Sequence, residues 1–143
     1  SLPALQNGFD VAQKKRSDFD ISGQLITATG LNDEQIEMAT ASARNQIAFY
    51  GSTPAYKPVL DVHGWGDMQS QWSQMAREGK WMEMSASVSD EMLHSFAVVG
   101  TPSEVADKII ARCKGQMERI SPVVYQADTP LLIAILEALK ARI

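Results

Sequence analysis

The chain has 143 residues, 45% of them hydrophobic and 21% charged, with a formal net charge of −4. That length and balance give one ordinary domain with its own core and argue against disorder. The negative charge argues against a nucleic-acid partner, which needs a concentrated basic surface.

No apolar stretch reaches membrane-spanning length and no signal peptide opens the chain, so no membrane association and a cytoplasmic location are expected. The first residues, SLPALQ, carry no methionine and start directly in a helical pattern, which reads as a trimmed or truncated start. Leu2, Leu5, Phe9 and Ala12 share one face of a helix predicted from Leu2 to about Lys15. Ser1 is its expected cap, and the basic run Lys14-Lys15-Arg16 suits its C-terminus. Phe19, Ile21, Leu25 and Thr27 then recur with a period of two, predicting a strand over Phe19–Thr29 that Gly30 ends.

A long helix is predicted from Asp33 to Tyr50, with Asn32 and Gln35 as a capping box. Ile36, Ala39, Ala43, Ile47 and Tyr50 form its apolar stripe, and Gly51 is expected to supply a left-handed stop. From Ser52 to Ser89 the pattern breaks into short helices rich in Met and Trp, residues that fill irregular gaps in a core. Thr101-Pro102-Ser103-Glu104 opens another helix as a capping box with proline at its first position. The lone Cys113 excludes an intrachain disulfide and reads as a buried, inert thiol at that helix's end. RISPVVY is predicted as a second strand, with Pro122 favouring an edge position, and Thr129-Pro130 starts a last helix. Two strands separated by a long helical crossover should lie side by side and parallel, with helices on one side.

Three stretches carry a resemblance: SDFDISGQLITATG, ARNQIAFYGSTPAYKPVLDVHGWGD and DEMLHSFAVVGTPSEVADKIIARCKGQMERIS. Together they resemble the C-terminal part of the luciferase-like monooxygenase superfamily, most closely its coenzyme F-420-dependent oxidoreductases. The resemblance covers nearly the whole chain. Members of that superfamily are (βα)8 TIM barrels that bind a reduced flavin or deazaflavin at the C-terminal ends of their strands. Such a barrel needs about 250 residues, so the resemblance implies a helix-rich α/β chain forming the C-terminal part of a barrel. Residues 1–143 are then a single partial domain. Phe19–Thr29 corresponds to the seventh strand, Arg119–Tyr125 to the eighth, and residues 52–89 to a helical insertion between them.

The resemblance further implies hydride transfer by coenzyme F-420, or alternatively FMN, to or from a small-molecule substrate in the intact protein. The family's coenzyme contacts come mostly from earlier strands, so the chain alone is expected to bind no coenzyme and to be inactive. No residue carries over as a catalytic acid, base or nucleophile.

The stretch KPVLDVHGWGDMQSQW holds the sharpest candidates: His63, Trp65 and Asp67. A metal reading fails for want of further ligands, since His94 is remote in sequence and no second cysteine exists. A Ser52, His63 and Asp67 triad lacks a nucleophile-elbow pattern. A lid over the barrel mouth would use the flat Trp65 and the switchable His63 between hinge glycines. The competing reading makes Trp65 and Trp72 packing pins. Thr29 and Tyr125, near the ends of the two strands, are the other substrate-pocket candidates. A function of a different class, a self-standing helical protein-interaction module, stays open beside the enzyme reading. Surfaces that a whole barrel would bury predict self-association, or a homo-oligomer.

Overall fold

The computed structural model describes residues 2–142. Its first helix, α1 (Leu2–Ala12), stops earlier than the periodicity predicts, where Gln13 adopts a left-handed φ of 53°. The basic run therefore lies beyond the helix and does not complement its dipole. Arg16 instead donates to both carboxylate oxygens of Glu118, at 2.7 and 2.9 Å. The expected Ser1 cap lies outside the described residues.

Strand β1 (Ser22–Thr29) starts later than predicted, because Phe19 turns aside to stack on Phe9 with ring centroids 5.0 Å apart. Helix α2 (Asp33–Ser52) is capped by Asn32, whose side chain accepts from the Gln35 N–H at 2.9 Å. Gln35 reaches back one residue further than a capping box requires, accepting from the Leu31 N–H at 2.8 Å. Ala39, Ala43, Ile47 and Ala48 form the buried face of this helix. Gly51 is not its left-handed stop. It lies inside the helix, buried, and a Cβ placed there would fall 2.3 Å from the Trp72 ring. The glycine is there because an aromatic ring occupies the space a side chain would need.

Short helices follow: α3 (Lys57–Val62), α4 (Asp67–Arg77), α5 (Trp81–Ala86) and α6 (Asp90–Phe96). α4, α5 and α6 pack on α2, and α3 on α4, around fully buried Trp72 and Met84. A strand absent from the sequence prediction comes next, β2 (Ala97–Gly100). Its four residues run on from a helical pattern and are too few to show a period of their own. Helix α7 (Pro102–Cys113) carries the expected capping box, with the Thr101 hydroxyl and the Glu104 carboxylate exchanging bonds with each other's backbone. It ends on buried Cys113. Strand β3 (Arg119–Val123) and helix α8 (Thr129–Lys140) follow; α8 starts at Thr129-Pro130 as predicted, with Asp128 as its cap.

Among the described residues the sheet therefore has three strands, not two, in the order β2-β1-β3, all parallel. β1 and β3 are neighbours as predicted, in register from Ser22↔Arg119 to Ile26↔Val123. Pro122 sits on an edge strand of this sheet, where its missing N–H costs least. β2 covers only the second half of β1, Ile26 to Thr29.

The expectation of helices on one side is corrected as well. Ala28, Ala97, Ile26 and Val99 pack on α2 and the short helices, while Val98, Leu25 and Ile120 pack on α7 and α8. Period-two strands that are apolar on both faces need cover on both, and α2 supplies the second layer. The result is a helix-rich α/β fold around a small parallel sheet.

Glu118 joins the first and last parts of this fold. Besides Arg16 it accepts from the Ile21 N–H at 2.8 Å. The Arg16 hydrogen bond first, and the Ile21 N–H second, hold its carboxyl below the ordinary 4.5. A carboxyl depressed in the folded state contributes stability above its unfolded pKa and loses it as pH falls through the folded pKa. The melting temperature should therefore fall as pH drops below about 4.5. Glu118→Gln should lower it at pH 7 and flatten that acid-side decline. Identical pH profiles for the two proteins, followed by circular dichroism, would contradict this role.

Candidate functional site

The C-terminal ends of β1 and β3 open into a cavity of about 330 Å³, within the size range of small-molecule sites. Two helices begin at its margin. Asn32, Glu34 and Gln35 come from the start of α2, and Gln126 and Asp128 from the approach to α8. Thr29 and Tyr125, both singled out from sequence, line the same cavity.

Thr29 is 1% exposed, and its hydroxyl is the one buried side-chain polar atom without a hydrogen-bond partner among the described residues. Burial, and after it the neighbouring Tyr50 phenol, push Tyr125 above its ordinary value, so its hydroxyl stays protonated and able to donate at neutral pH. Gln126 holds a left-handed φ of 61°, uncommon for a residue with a side chain. The sequence reading missed Asn32, Gln35, Gln126 and Asp128 as lining residues. Asn32 and Asp128 carried a signal as the caps of helices that follow strand ends.

His63, Trp65 and Asp67 lie elsewhere. Helix α3 ends in a paired turn: the Gly64 N–H donates to the Asp61 carbonyl at 3.0 Å and the Trp65 N–H to the Leu60 carbonyl at 2.9 Å. Gly64 takes φ 78° between them, the left-handed position that closes a Schellman stop. The stop turns Trp65 onto the core. There His63 stacks on it with centroids 4.7 Å apart, and Phe96 meets both rings edge-on. Asp67 opens α4 as an exposed residue of its first turn. None of the three shares the strand-end cavity with Thr29 and Tyr125.

Phe96 also borders a second, apolar cavity of about 260 Å³ between Ile26 and the α2–α3 helices, with Tyr50, Tyr56 and Leu60 among its walls. Among the described residues no group of three His, Cys, Asp or Glu side chains could hold a metal ion. Nor is any described helix long and apolar enough to cross a membrane.

Comparison with known proteins fits this arrangement into a family. The family model for luciferase-like monooxygenase matches residues 1–118, ending at the residue before β3. Uncharacterized proteins of Mycobacterium tuberculosis and Mycobacterium bovis are each 39% identical over 137 residues, which cover 96% of this chain and 40% of theirs. A 5,10-methylenetetrahydromethanopterin reductase of Archaeoglobus fulgidus is 30% identical over 109 residues, covering 71% of this chain and 31% of that protein. The chain thus spans about 40% of the length of the mycobacterial relatives. With a match that runs from α1 through α7 and takes in β1 and β2, well over half of the chain, the chain belongs to the luciferase-like monooxygenase family.

Proposed function

We propose that this chain is the C-terminal portion of a flavin- or deazaflavin-dependent oxidoreductase, with F-420 as the favoured coenzyme and FMN as the alternative. The observation that carries the reading is the parallel β1–β3 pair, joined by a long helical crossover and opening at its C-terminal end into a cavity. In a (βα)8 barrel that end carries function. The match to a 5,10-methylenetetrahydromethanopterin reductase favours reductive chemistry, and the sequence resemblance to coenzyme F-420-dependent oxidoreductases favours the deazaflavin branch. The coenzyme would supply hydride transfer when bound.

The strand-end cavity does not fit the anionic part of such a coenzyme. Among the described residues no Lys or Arg lines it, whereas the carboxylates of Glu34 and Asp128 do. Residues upstream of this chain would hold the coenzyme, and Thr29 and Tyr125 would belong to the wall that faces substrate. Trp65 and His63 brace the insertion that carries them.

The experiment compares the chain with a longer protein that includes the upstream residues its relatives have. Alone, the chain should self-associate. β3 has an open edge in this sheet, and Leu132, Ile133 and Leu136 leave an apolar strip of α8 exposed. Light scattering should show association that the longer protein lacks, and the longer protein should oxidise or reduce the coenzyme. A compact, inactive monomer in both forms would favour a binding module over an enzyme.

A further inference from the structure

Helix N-termini at the ends of barrel strands commonly receive phosphate, because their free N–H groups and dipoles attract anions. The cavity at the ends of β1 and β3 has two such helices but the opposite chemistry. Asp33 and Glu34 already place negative charge in the first turn of α2. Asp128 caps α8, accepting from the Leu131 N–H at 2.9 Å. A phosphate would meet carboxylates here and no cation.

The remaining groups alternate between donors and acceptors. Asn32 and Gln35 commit their side-chain oxygens to backbone N–H groups, which leaves their amide nitrogens to donate. Tyr125 adds a protonated hydroxyl. Glu34 and the second oxygen of Asp128 can only accept. The Thr29 hydroxyl is buried with no partner, a costly state that a ligand atom would relieve. A sugar or linear polyol presents hydroxyls that each donate and accept, and its C–H face suits the apolar wall at Met38 and Leu131.

We propose that this cavity binds an uncharged polyol or sugar group, anchored at the buried Thr29 hydroxyl. The proposal rests on the reading of these strand ends as a substrate wall, and it names the substrate class.

Backbone amide NMR of the 143-residue chain, titrated separately with ribitol, D-glucose, inorganic phosphate and methylamine, tests it. Ribitol or glucose should move the signals of Gly30, Gln35 and Gln126 in a saturable way, while phosphate and methylamine should not. Thr29→Val keeps the side chain's shape and removes only the unpartnered hydroxyl. It should fold, with an unchanged or higher melting temperature, and weaken polyol binding roughly fivefold. The same ligands should raise the melting temperature of the longer protein, which covers the case of a chain that associates too strongly for NMR. Saturable phosphate or amine binding, polyol affinity unaffected by Thr29→Val, or no polyol response in either protein would overturn the assignment. Coenzyme turnover by the longer protein, scored independently, then decides whether the oxidoreductase reading falls with it.

Discussion

Trp72→Ala is expected to destabilise the fold by about 3–5 kcal/mol, the range for truncating a fully buried large aromatic side chain. Trp72 is 0% exposed and donates its indole N–H to the Ser87 hydroxyl at 2.7 Å. That hydroxyl in turn donates to the Met84 carbonyl at 2.7 Å. One ring therefore joins α2, α4 and the end of α5. Gly51→Ala tests the same contact from the other side. In an ordinary helix interior that change stabilises by about 0.5–1 kcal/mol. Here the new methyl would fall 2.3 and 2.5 Å from two Trp72 ring carbons, and a fully buried ring has nowhere to go. The sign should reverse, with a loss of about 1–3 kcal/mol from overpacking. Chemical denaturation of both variants measures the two effects, and a stabilised Gly51→Ala would show that the ring gives way.

Trp65→Ala should cost about 2 kcal/mol, less than Trp72 because the ring is only half-buried. His63→Ala should cost less than about 1 kcal/mol, since its ring lies exposed on the outside of the stack. In the longer protein, activity per folded molecule should hold for both, because neither residue borders the strand-end cavity. A drop in catalytic efficiency with an unchanged melting temperature would restore the lid reading of this segment.

The contrast between these two tryptophans shows what the sequence could carry. Both sit in a Met- and Trp-rich stretch, and packing was one of the two readings open for it. The turn that fixes Trp65 was written in His63-Gly64-Trp65, where a glycine just past a helix end signals a left-handed stop. The lid reading takes the same glycines as hinges, and the activity of the two variants decides between the two. Gly51 was misread for a related reason: a glycine at a predicted helix end has two uses, and only the position of Trp72 decides between them.

Thr29 and Tyr125 stand near strand ends, where parallel folds gather function, and both line one cavity. Their neighbours Asn32 and Gln35 were hidden behind their capping roles. The third strand left no trace, because Ala97–Gly100 follows a helical pattern without a break and pairs through its backbone with a strand far away in sequence.

The central claim is that this chain provides a substrate-facing wall while the coenzyme is held by residues upstream of it. Calorimetric titration of F-420 and of FMN into the chain alone and into the longer protein tests it most directly. The longer protein should bind one of the two coenzymes with micromolar or tighter affinity, and the chain alone should bind neither. Micromolar coenzyme binding by the chain alone would contradict the account.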